Sequence, residues 1–138
     1  MKKLVASAVL AGSAALAQAD SLPVTVILNS ASPMTQGIAM VLANQMQAQG
    51  GQVDILLCDQ AGDLALTDAG GEPLKPNNLT PAQLLSAAIE KGATASVCAL
   101  YLPNTGHPSS ALRQGVTVAA PDAMARRLLE PQRKVMVF

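Results

Sequence analysis

Three short apolar runs constrain this chain more than any other feature. Val24, Val26, Ile27 and Leu28 are nearly continuous, Val53 to Cys58 is a second run of the same kind, and Ala95 to Leu102 is a third. Such runs suit central parallel strands that are covered on both faces. Helix signals stand between them. Ser32 can cap a helix with Pro33 at its first position, where the missing N–H does no harm. Gly50-Gly51 ends that helix after about Gln49. Thr80-Pro81-Ala82-Gln83 has the threonine–glutamine spacing of a capping box and opens a helix that runs to Lys91. Further on, Ser109 to Gln114 reads as a short helix, Val116 to Val118 as a strand, Pro121 to Glu130 as a helix and Lys134 to Phe138 as a last strand. Strands alternating with helices imply an α/β domain, a parallel sheet with helices on both faces. In such sheets ligands and chemistry gather at the C-terminal ends of the strands.

Side-chain spacing refines this layout. Met34, Ile38, Val41 and Leu42 share a stripe of the first helix and are expected to face the core, with Met40 roughly opposite Ile38. Thr67 to Asn78 holds Gly70, Gly71, Pro73 and Pro76 and reads as a loop, as does the turn-rich stretch Pro103 to Pro108.

The start of the chain reads as an address. Lys2 and Lys3 precede Leu4 to Leu16, 13 residues without a charge, and Ala17-Gln18-Ala19 offers small residues at the positions a signal peptidase reads. A charged start, a short apolar core and such a site make a secretory signal peptide. The apolar run is shorter than the roughly 20 residues a membrane-spanning helix needs. Residues 1–19 are therefore expected to be removed, and residues 20–138 to form one domain in the periplasm, with no membrane span. That part carries 7 basic and 9 acidic residues, no basic block, and Tyr101 and Phe138 as its only aromatics. Nucleic-acid binding needs phosphate-neutralising charge, usually with stacking platforms on single strands, so that class is set aside.

Few residues can carry chemistry. Cys98, on the third apolar run, admits two readings: a small filler in a buried strand, or a thiolate nucleophile. A thiolate needs positive charge or helix N-termini nearby, and the following loop offers His107 and Arg113. Cys58 ends the second run. If both strands are central, the two cysteines open on the same edge of the sheet, and a disulfide is conceivable but not required. His107 is the sole histidine. No Gly-x-Gly-x-x-Gly follows the first strand and no P-loop is present, so no cofactor is called for. Met34, Met40 and Met46 lie six apart, which at about 100° per residue does not align them as metal ligands.

The order of these motifs resembles one known family. A first strand Val24–Leu28 leads through a polar loop into a helix. A second ends in Leu57-Cys58-Asp59, and a third carries Ser96-Val97-Cys98-Ala99. A Gly-containing loop, Leu112-Arg113-Gln114-Gly115-Val116, a helix and the ending Arg133-Lys134-Val135-Met136-Val137-Phe138 follow. From roughly Leu22 to Phe138 this resembles the DsrE/DsrF-like family, also called YchN-like. The resemblance implies a three-layer α/β/α sandwich with a mostly parallel sheet of about five strands, assembled as trimers or hexamers. Its sulfur-relay branch carries persulfide sulfur on a cysteine after the third strand, and Cys98 matches that position. The resemblance thus implies a sulfur carrier exchanging sulfur with a donor or acceptor protein or a small thiol. It supplies no role for Cys58. Two other readings stay open: an oligomeric binding module without covalent chemistry, and a Cys58–Cys98 redox pair.

Overall fold

The structure, a computed structural model, describes residues 21–138. The expected signal peptide, residues 1–19, lies outside the described residues. Five strands form the sheet: β1 (Pro23–Leu28), β2 (Gln52–Leu57), β3 (Thr94–Val97), β4 (Val116–Val118) and β5 (Lys134–Val137). Their spatial order is β4-β3-β2-β1-β5, and every pairing is parallel. Four helices connect them: α1 (Pro33–Ala48), α2 (Pro81–Glu90), α3 (Tyr101–Thr105) and α4 (Pro121–Leu128).

Topology fixes the layers. Parallel crossovers are right-handed. β1 to β4 step in one direction across the sheet, so α1 and α2 lie together on one face. The return from β4 to β5 runs the other way, which puts α4 on the opposite face. Residues alternate accordingly along each strand. Val24, Val26, Leu28, Val53, Ile55, Leu57, Ala95 and Val97 are buried in the main core. Thr25, Asp54 and Thr94 share a register position on the α4 side. There Asp54 accepts from Arg127 of α4, from Arg133 just before β5 and from Thr94, and Arg133 also donates to Thr25. The Asp54 and Arg133 side chains are only 14% and 6% exposed. This polar knot is what ties the α4–β5 return to the sheet.

The expected caps form. The Ser32 hydroxyl accepts from the Thr35 N–H, and Thr80 and Gln83 make the reciprocal capping box. Gly50, at φ +86°, turns the chain out of α1 into β2. Two expectations need correction. The third strand is shorter than Ala95–Leu102: it stops at Val97, and Tyr101–Thr105, expected as strand end and loop, is the helix α3. Pro103 sits in its first turn, where it breaks no helical bond. The stripe of α1 also faces the other way. Met34 is 77% exposed, Ile38 49% and Val41 39%, while Met40 is fully buried with Ala39 and Ala43. The inward face of α1 is Gln36, Ala39, Met40, Ala43 and Asn44. A Cβ at Gly37 would run into the Leu74 side chain.

Candidate functional site

The site is built at the C-terminal ends of the two central strands. The register of β2 and β3 ends with Leu57 opposite Val97. The ladder then continues for one more step. The Cys58 N–H donates to Leu28 O and the Cys98 N–H donates to Leu57 O, each at 2.8 Å. Cys58 and Cys98 are therefore next-door neighbours on adjacent backbones, which in a sheet are about 4.8 Å apart. Both are free thiols, half-buried. The two side chains are close enough for Cys98 to raise the cost of ionising Cys58.

The two thiols are not equivalent. Burial above all, then negative charge on Cys98, the hydrogen bond to Cys98 and the charge of Asp59, push the Cys58 thiol up from 9.0 to about 12. Each of these disfavours a second anion in a partly dry place. Cys58 keeps its proton at neutral pH.

Past Cys58 the chain turns sharply. Asp59 takes a positive φ of 49° and starts a tight 3-10 segment, Asp59–Ala65. Asp tolerates this left-handed geometry better than most residues. That segment and α3 form two walls of an open cavity of about 480 Å³, lined by Asp59, Gln60, Asp63, Cys98, Leu100, Tyr101, Asn104 and Thr105. Tyr101 braces it. Its ring packs against Gly62, where a Cβ would collide with it, and its hydroxyl donates to the Asp63 carboxylate. Burial first, then the Asp63 hydrogen bond and charge, raise the Tyr101 phenol above its ordinary range, so it stays a donor. No lysine or arginine is among the lining residues.

The other residues singled out in the sequence fall at different distances from this pair. His107 is exposed and stacks on the outer side of Tyr101, with ring centroids 6.3 Å apart at 14°. It meets the cavity only through that ring. Arg113 points elsewhere: its guanidinium donates to Leu66 O at 3.1 Å, Ala82 O at 2.9 Å and Ser86 Oγ at 2.9 Å, and so ties α2 to the chain following the 3-10 segment. Desolvation lowers its pKa. Sequence reasoning missed Asp59, Asp63 and Tyr101. The first two stand one and five residues after Cys58, and the third is the only tyrosine, three residues after Cys98. Their proximity to the cysteines was the available signal. Among the described residues no group of three or more His, Cys, Asp or Glu side chains is gathered as for a metal ion, and no described helix is long and apolar enough to cross a membrane.

Comparison with known proteins places the architecture. No protein-family profile and no curated protein matches the chain. Solved structures do. The YchN protein of E. coli superposes with a TM-score of 0.69 at 18% identity, covering 86% of this chain and 99% of that one. MTH1491 of Methanobacterium thermoautotrophicum, a protein of unknown function, superposes with a TM-score of 0.70 at 12% identity, covering 86% and 100%. At these identities what is shared is the fold.

Proposed function

The chain has the YchN-like, DsrE/DsrF-like fold, and we propose that on this fold it is an exported sulfur carrier holding sulfane sulfur on Cys98 as a persulfide. One observation carries the reading: Cys98 lines an open cavity at the strand ends, beside a second thiol that keeps its proton. In loading, the Cys98 thiolate attacks the terminal sulfur of a donor persulfide. The donor's S–S bond breaks and the donor leaves as a thiolate. In unloading, an acceptor thiolate attacks the outer sulfur of the Cys98 persulfide, and Cys98 returns as the leaving thiolate. The neighbouring Cys58 S–H stabilises that thiolate by hydrogen bonding. His107 stacks on Tyr101 of the cavity wall and is a basic group for a docked partner to meet.

Export belongs to the same proposal and rests on the Lys2–Ala19 pattern. Its donors and acceptors are then periplasmic proteins or small thiols. Self-association into trimers or hexamers is proposed from the groove of about 420 Å³ between α1 and the loop 74–79 that precedes α2. Met34, Ile38, Val41, Leu74, Pro76 and Leu79 line it, and much of that apolar surface is open. The same groove favours the second reading, an oligomeric binding module of periplasmic sulfur or redox metabolism with no covalent step.

Intact-mass analysis decides between them. Reduced protein is treated with polysulfide, alkylated and digested. A carrier alkylated at once after loading is one sulfur heavier at Cys98, as is Cys58→Ala, and Cys98→Ala shows no such gain. Protein that gains none, with Cys98 unalkylated until unfolded, is a binding module.

A further inference from the structure

The ladder step that sets Cys58 beside Cys98 gives the carrier a second possible outcome. We propose that Cys58 is a resolving thiol, which attacks the Cys98 persulfide, expels its outer sulfur as hydrogen sulfide and leaves a Cys58–Cys98 disulfide. The inference rests on the carrier reading and extends it from sulfur transfer to sulfide release.

Three features support it. The first is distance. Paired positions on adjacent strands are about 4.8 Å apart, inside the roughly 4.4–6.8 Å between Cα atoms that a disulfide spans. The Cys98 N–H bond to Leu57 O fixes that spacing. The second is freedom to close. Both cysteines lie one residue beyond the last paired position of β2 and β3, so their side chains can reorient without breaking the ladder. The third is order of events. Cys58 is protonated while Cys98 loads, so the two thiols do not compete for the donor, and in the later step it hands that proton to the departing outer sulfur as it attacks.

The step balances without an outside oxidant. The Cys58 sulfur bonds to Cys98 Sγ, and the persulfide S–S bond breaks. The outer sulfur takes the electron pair and, with the Cys58 proton and its own, leaves as hydrogen sulfide. The Cys58 sulfur is oxidised and the outer sulfur is reduced. Return to the dithiol requires a reducing dithiol, which is the second substrate class the protein would take. Asp59 and Asp63 on the cavity wall disfavour retention of an anion such as hydrosulfide.

The test follows one loading event through two products. Reduced full chain is given one equivalent of polysulfide without oxygen, desalted, and followed for sulfide and for intact mass. Wild-type protein is expected to release sulfide and to end two hydrogens lighter than the dithiol form, with one peptide joining Cys58 and Cys98. Cys58→Ala and Cys58→Ser are expected to stay one sulfur heavier at Cys98, and their sulfide release to fall to the rate of buffer alone. Persulfide retained by wild type with no joined peptide would overturn the inference, as would release from the Cys58 variants as fast as from wild type. Both of those results leave the carrier reading standing. Failure of every form to load at Cys98 defeats the carrier reading itself.

Discussion

At the scale of single residues, the cavity and the polar knot make different demands. Cys58 and Tyr101 both have raised pKa values in the fold. Each binds its proton more tightly folded than unfolded, so their contribution to stability is present in full below the unfolded values and fades as pH rises above them. Stability is therefore expected to fall from about pH 9 upward, the ordinary thiol value, and to keep falling toward about 12. In Cys58→Ala the decline should begin about one unit higher, near the ordinary phenol value of 10.0. Urea denaturation at a series of pH values checks this, and an onset that ignores Cys58 would contradict its protonated state. Asp63→Ala should lower the Tyr101 phenol pKa toward 10.0, read by the absorbance of phenolate during alkaline titration. Asp54→Ala removes one of the two carboxylates that hold the nearly buried Arg133 and leaves it the half-exposed Glu130. Breaking a buried pair from one side costs about 3–5 kcal/mol, and the retained Glu130 pair brings the expected loss down to about 1–3 kcal/mol. The urea midpoint should fall accordingly, while Cys98 alkylation in the folded protein stays unchanged, because the knot lies at the opposite end of the strands.

At the scale of elements, α1 carries the clearest consequence. Its apolar stripe was legible in the sequence, but its direction was not. Periodicity finds a stripe and assigns it no sign. Here Gln36, Ala39, Met40, Ala43 and Asn44 make a second face, and packing of Ala39, Met40 and Ala43 into the core selects it for the interior. Ile38→Asp is therefore expected to leave the Tm of the fold nearly unchanged and to weaken self-association. Sedimentation of wild type and variant measures it, and a wild type that is already monomeric would remove the oligomer from the proposal. Caps and strands were legible for a local reason: Ser32-Pro33, Thr80-Pro81-x-Gln83 and the apolar runs each encode their outcome within a few residues. The turn at Asp59 and the helix at Tyr101 were not. Their geometry depends on Tyr101 packing on Gly62 and bonding to Asp63, contacts between segments about 40 residues apart. Gly62→Ala should thus displace Tyr101 and cost about 1–3 kcal/mol through overpacking, measured by thermal denaturation.

For the molecule as a whole, the parallel sheet divides labour by its two ends. The N-terminal ends hold Asp54, Arg127 and Arg133, and the C-terminal ends hold the thiols. That polarity was legible, since a sheet of parallel crossovers presents its strand ends together. Cys98 was legible as a site candidate for the same reason. Cys58 as its neighbour followed only once the register was known, because a shift of one residue would have turned the two side chains to opposite faces. Arg113 shows the reverse. Its place in the chain suggested the cavity, and its hydrogen bonds to Leu66, Ala82 and Ser86 put it to work joining α2 to the loop.

Tyr101 has one more consequence. The chain has no tryptophan and a single tyrosine, and that tyrosine braces the wall beside Cys98 with its hydroxyl on a carboxylate. Its ultraviolet emission therefore comes from one known place. A carboxylate acceptor quenches an excited phenol, so any event that parts Tyr101 from Asp63 should brighten the protein. Sulfur loading, strand-end closure or docking of a partner could then be timed in a stopped-flow instrument, with no label attached.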